Sequence, residues 1–231
     1  MIHQGQQMKL NHYDYSWPLV DYGPDPDFVG YLASENTKGK LIFHFGTGEH
    51  HLVGKNNHEL GNPNEIMAIT ASREEYGAYI DFVIDNPVAA NYYRVFFGDI
   101  YTLSPPTLPT FDIVTLFHLC EYYDDQRDEE DGEPFAQQSR LNSAYSRLND
   151  ETLLDLFLQK LNPGGRILFF KRSAGIVSKR EPGAIVTFTD SGGSVEGDRR
   201  AATIINSFLS RGQMVVESEY RTLLVCGRPA A

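Results

Sequence analysis

Residues 111 to 119, FDIVTLFHL, constrain the fold more than any other part of the chain. The run is apolar nearly throughout and shows no alternation of apolar and polar positions. A strand with one wet face alternates, whereas a continuous run fits a parallel strand covered on both faces. Such a strand needs helices above and below its sheet, and the rest of the sequence supplies them. KLIFHF (40–45), NEIMAITAS (64–72), Arg94 to Phe97 and RILFFKR (166–172) read as further strands. PDFVGYLASENTKG (26–39) reads as a short helix closed by Gly39, and Glu74, Glu75, Tyr76, Tyr79, Ile80, Phe82 and Val83 give a helical pattern behind the second strand. Leu153, Leu154, Phe157, Leu158 and Leu161 form one helical stripe, capped by Asn149 or Asp150 and stopped at NPGG. AATIINSFLSRG is a last amphipathic helix ending at Gly212, and residues 213–229 hold two closing strands that read as a hairpin.

Strands alternating with helices predict an α/β fold with a mostly parallel sheet and right-handed crossovers. The closing strand pair breaks the alternation and predicts an antiparallel edge strand. At 231 residues the chain suits one domain, 1–231. That domain carries an N-terminal arm and helix (1–39) and two insertions, 122–148 and 173–200. The first insertion contains the acidic run DDQRDEEDGE, which reads as a solvated loop.

A formal charge of −11 argues against a protein that grips nucleic acid through broad phosphate contacts. No apolar run is long enough to span a membrane, and the first residues lack the apolar core of a signal peptide. Cys120 and Cys226 lie far apart at the ends of apolar runs and read as buried thiols, so the expected setting is the reducing cytoplasm.

In parallel sheets of this kind, ligands bind at the carboxyl ends of the strands where strand order reverses. That rule selects Gly46 to His51, Thr70 to Ser72, Asp99 to Tyr101 and Phe117 to Tyr122. Gly46 and Gly48 form a turn that lets a ligand approach the backbone. A dinucleotide fingerprint would place a third glycine at position 51, where this chain has His51. Asp99 directly follows a strand and is placed to accept hydrogen bonds. His44, His50, His51, His58 and His118, with Glu49 and Glu121, raise the question of a metal. Adjacent histidines rarely share one ion and no helical His-x-x-x-His pair occurs, so no metal site is predicted.

The order of these segments carries a resemblance. A glycine turn after the first strand, GDI (98–100) after the third, FDIVTLFHLCEY as the fourth and LQKLNPGGRILFF leading into the fifth resemble class I S-adenosylmethionine-dependent methyltransferases, from about Lys40 to Phe170. The resemblance implies a Rossmann-like, seven-stranded sheet with S-adenosylmethionine as cofactor. It implies that Gly46, Thr47 and Gly48 hold the methionyl part, that Asp99 contacts the adenine amino group and that Ile100 lies beside the ring. Phe117 and His118 would line the methyl-transfer side, with His118 and then Glu121 as candidate general bases.

The family often has an acid two residues before the first glycine, where this chain has His44, and a third glycine where it has His50. It has a ribose-binding acid at the end of the second strand, where this chain has Thr70 with Ser72 nearby. A hydroxyl in place of a carboxylate is expected to cost about 1–3 kcal/mol of cofactor binding. The implied activity is methyl transfer to a small molecule, to oxygen rather than nitrogen, because no Asp/Asn-Pro-Pro-Tyr motif follows the fourth strand. A homodimer is compatible with this reading. The alternative is a non-catalytic binding or scaffold protein on the same fold.

Overall fold

The apolar run becomes β4 (Phe111–Leu116) near the centre of a seven-stranded sheet in the order β3-β2-β1-β4-β5-β7-β6. This arrangement comes from a computed structural model, which describes residues 24–48, 51–58, 63–117, 119–120, 148–170 and 196–229. The other strands are β1 (Leu41–Phe45), β2 (Glu65–Thr70), β3 (Tyr93–Phe97), β5 (Leu161–Phe170), β6 (Val215–Tyr220) and β7 (Leu223–Gly227). Five α-helices accompany them among the described residues: α1 (Pro24–Ser34), α2 (Leu52–His58), α3 (Arg73–Asp85), α4 (Asp150–Gln159) and α5 (Glu196–Ser210).

β1 pairs in parallel with β2 and β4, β2 with β3, and β4 with β5. The reversed strand is β7, which lies one position in from the edge, antiparallel to both β5 and β6. The hairpin turns at Arg221, in the left-handed region at φ 50°. α5 starts at Glu196, so the last residues of the expected 173–200 insertion belong to this helix.

The sheet separates two cores. Phe43, Phe45, Val114, Leu116 and Phe169 join Leu153, Phe157 and Phe208 of α4 and α5. Ile42, Ala68, Ile113 and Leu168 join Phe28 of α1, Val53 of α2 and Phe82 of α3. Neighbouring residues of one strand thus enter opposite cores, as the period of two requires. This is why β4 carries apolar residues on both faces, at Phe111, Ile113, Val114 and Leu116. α4 begins with a capping box in which Asn149 and Thr152 satisfy one another's backbone N–H groups.

The chain passes from β1 outward to β2 and β3, then returns to place β4 on the other side of β1. The switch of strand order therefore lies at the carboxyl ends of β1 and β4.

Candidate functional site

The turn after β1 has the backbone expected of it. Gly46 and Gly48 adopt φ of 88° and 56°, a region costly for side chains and open to glycine. His51 follows at φ 48° and opens α2, its carbonyl accepting the Lys55 N–H at 2.9 Å. Its imidazole is fully buried between Nδ1, 2.7 Å from the Tyr93 hydroxyl, and Nε2, 2.6 Å from the Glu75 carbonyl. A carbonyl only accepts, so Nε2 carries a proton and donates. The Tyr93 hydroxyl then donates to Nδ1. Burial, followed by the nearby charges of Asp25 and Glu75, pushes the Tyr93 phenol well above its ordinary range, which keeps that proton in place. His51 thus joins α2, α3 and β3, and its anchored ring holds it where glycine would otherwise be favoured.

His44 is also buried. Its Nδ1 lies 2.8 Å from Thr115 Oγ1 on β4, and its ring stacks on Phe28 and meets Phe117 edge-on. Its Nε2 faces Asp25 Oδ1 at 3.6 Å. Asp25 belongs to the first turn of α1, and its other oxygen is the nearest neighbour a side chain at Gly48 would meet, at 3.9 Å. α1 is fixed in this position by Asp27, which accepts the Thr222 hydroxyl at 2.5 Å and backbone N–H at 3.0 Å. A carboxylate therefore stands beside the glycine turn although the strand itself carries a histidine.

The end of β2 shows the same substitution at a distance. Thr70 donates to Glu75 Oε2 at 2.5 Å, and Thr47 of the glycine turn donates to the same oxygen at 2.8 Å. Ser72 is the N-cap of α3, accepting the Glu75 N–H at 3.2 Å, and its hydroxyl donates to Glu74. At the end of β3, half-buried Asp99 accepts the Tyr101 N–H at 2.9 Å through Oδ1. Burial holds the Asp99 carboxyl above its ordinary pKa. Ile100 is 1% exposed and packs into the α4–α5 core, while Phe117 lies under His44 on the opposite side.

Parallel pairing of β1 with β2 and of β2 with β3 puts Gly46–Gly48, Thr70 and Asp99 along one edge of the sheet. His118 and Glu121, with Glu49 and His50, lie outside the described residues. Among the described residues no group of three or more His, Cys, Asp or Glu is arranged to hold a metal ion, and no helix is long and apolar enough to cross a membrane.

Sequence reasoning missed Asp25 and Glu75 as members of this edge. Asp25 gave no signal, because its place depends on how α1 docks. Glu75 gave a misleading one. Ser72-x-x-Glu75 is the pattern of a capping box, in which the glutamate would turn back to the Ser72 N–H. Here Thr70 Oγ1 accepts that N–H at 3.0 Å, and the Glu75 carboxylate points to Thr47 and Thr70 instead.

No protein-family model matches the sequence, and no curated protein matches it. Solved structures do match in fold. A candidate O-methyltransferase from Klebsiella pneumoniae aligns with a TM-score of 0.55 at 12% identity, over 92% of this chain and 84% of that one. The O-methyltransferase TomG from Streptomyces achromogenes, in complex with SAM, gives 0.52 at 13% identity over 88% and 79%. Magnesium protoporphyrin IX methyltransferase from Synechocystis PCC 6803, with bound SAM, gives 0.50 at 11% over 89% and 78%. At such identities the likeness concerns the backbone, and on that ground the chain has the Rossmann-like fold of the class I methyltransferases.

Proposed function

We propose that the protein is an S-adenosylmethionine-dependent methyltransferase acting on a small-molecule acceptor, with oxygen favoured over nitrogen, and that residues 1–231 work as one domain. One observation carries this reading. The left-handed glycine turn after β1 and the Asp99 carboxylate after β3 lie on the same edge of a sheet with the methyltransferase strand order. The residues fit a nucleoside with a polar tail. Asp99 Oδ2 takes no hydrogen bond from the described residues and can accept from an exocyclic amine. Gly98 beside it has open space where a side chain would be.

When bound, S-adenosylmethionine supplies a methyl group already activated on a sulfonium, so the protein's contribution is chiefly to position the acceptor in line. In this chain Gly46, Thr47 and Gly48 hold the methionyl end through the backbone. Asp99 orients the base, and the buried His44–Thr115 contact keeps β1 and β4 in register beneath it. His118 and then Glu121, immediately after β4 in the sequence, are the proposed bases for a hydroxyl acceptor. The acidic overall charge supports an acceptor other than nucleic acid.

A non-catalytic role on this fold is the second reading. It is favoured by His44, His50 and Thr70, which stand where the resemblance leads one to expect an acid, a glycine and a ribose-binding acid.

Titration calorimetry with S-adenosylmethionine, S-adenosylhomocysteine and NAD separates the two. The expected result is micromolar binding of S-adenosylhomocysteine, weakened about ten- to hundredfold by Asp99→Ala. Folded protein that gives no heat with either sulfur ligand refutes the enzyme reading.

A further inference from the structure

We propose that Glu75 is the group that recognises the ribose hydroxyls, replacing from helix α3 the carboxylate that β2 lacks. This rests on the cofactor reading above, and it concerns a residue that neither strand position nor motif marks. Four observations carry it.

First, the carboxylate lies at the carboxyl edge of β1 and β2, tied to Thr47 on one strand's turn and to Thr70 at the other strand's end. Second, both threonines donate to the same oxygen, Oε2. Two donors saturate that oxygen, while Oε1 takes no hydrogen bond from the described residues and keeps its acceptor capacity. Third, the tie fixes the side-chain rotamer, so Oε1 is oriented before a ligand arrives and little side-chain entropy remains to be lost. Fourth, the usual occupation of a glutamate at this helix position is removed. The Ser72 N–H that a capping glutamate would accept is taken by Thr70 Oγ1 at 3.0 Å. The residue is half-buried, and Oε1 is not among the buried side-chain oxygens that lack a hydrogen-bond partner.

An anionic oxygen with open lone pairs, presented at the edge between a glycine turn and an adenine-orienting acid, suits a neutral vicinal diol. Each hydroxyl can donate to it, and hydrogen bonds to a charged acceptor are the stronger kind. A phosphate at this place would instead meet like charge, which makes Glu75 a selector for nucleosides with free ribose hydroxyls. Thr70, read alone as a weak replacement for an acid, becomes the anchor of one.

The test compares S-adenosylhomocysteine with its analogue lacking both ribose hydroxyls, by calorimetry on the full chain. The wild-type protein should prefer the hydroxylated form by about ten- to hundredfold. Glu75→Gln and Glu75→Asp should each lose most of that preference. The aspartate variant keeps the charge at the helix start but withdraws its oxygens by one methylene, so it reports reach and not folding. Thermal melting of each variant confirms the folded state, and the wild-type preference is measurable without any variant. A wild-type protein that binds both ligands equally, or variants that keep the full preference, would overturn the role of Glu75 alone. Binding of neither ligand would overturn it together with the enzyme reading, so the two failures are told apart.

Discussion

Gly54→Ala makes a sharp test of the packing behind the glycine turn. In a helix, alanine is favoured over glycine by about 1 kcal/mol, so propensity alone predicts stabilisation. At position 54 a methyl group would lie 2.2 Å from Cδ1 and Cε1 of Tyr93 and 2.6 Å from Cγ. Comfortable carbon–carbon contact is about 3.5–4.0 Å, so the ring must retreat by more than an ångström. Tyr93 has nowhere to go. It is 1% exposed, edge-on to Tyr79 at 5.6 Å, tilted against Phe82, and held by the 2.7 Å contact of its hydroxyl with His51.

Overpacking of this kind costs about 1–3 kcal/mol. Losing the buried Tyr93–His51 bond adds about 1–3 kcal/mol. After the propensity gain, Gly54→Ala should destabilise the protein by about 3 kcal/mol. Urea unfolding reads this as a lower midpoint at unchanged slope. The same substitution in a Tyr93→Leu background should be neutral or stabilising, since the ring is gone, and the cycle isolates the clash. A single Gly54→Ala variant as stable as wild type would refute the account of α2 packing against β3.

Two further predictions concern ionisation. Burial raises the Asp99 pKa above the ordinary 3.8, so unliganded Asp99 opposes folding in its charged form, increasingly as pH rises through that raised value. A donor from the ligand favours the charged form. Affinity for S-adenosylhomocysteine should therefore fall on acidification at a pH above that of an ordinary aspartate, and Asp99→Asn should flatten the profile; an identical profile in the variant contradicts the assignment. Cys120 and Cys226 are fully buried, and burial pushes both thiols up from their ordinary value, further raised at Cys120 by Asp150. Thiol reagents should label them only as fast as the protein unfolds, and rapid labelling of native protein would show that this burial is wrong.

The strands and the glycine turn were legible because they depend on local patterns. Continuous apolar character marked β4, a stripe of leucines marked α4, and Gly46 and Gly48 marked the turn, each within a short window of sequence. α2 escaped, because seven residues containing Gly54 and two asparagines carry no helical stripe. The antiparallel character of the closing pair was legible too, but its position was not. Whether β7 or β6 pairs with β5 is decided by which apolar strand fills the interior place, and β7 is buried at all five positions whereas β6 is not.

The sequence by itself determined the alternation of elements and the place of Gly46, Gly48 and Asp99 just past the ends of their strands, since these follow from the order and periodicity of residues along the chain. Only the tertiary structure decided what His44, His51 and Thr70 do there. His44 meets Thr115 across 71 positions, His51 meets Tyr93 across 42, and Thr47 reaches Glu75 across 28. The carboxylates of Asp25 and Glu75 come to this edge from α1 and α3 as those helices dock on the sheet. A strand position reveals which side chain it carries, but not which charge a neighbouring helix brings beside it, because that charge is placed by packing between segments remote in sequence.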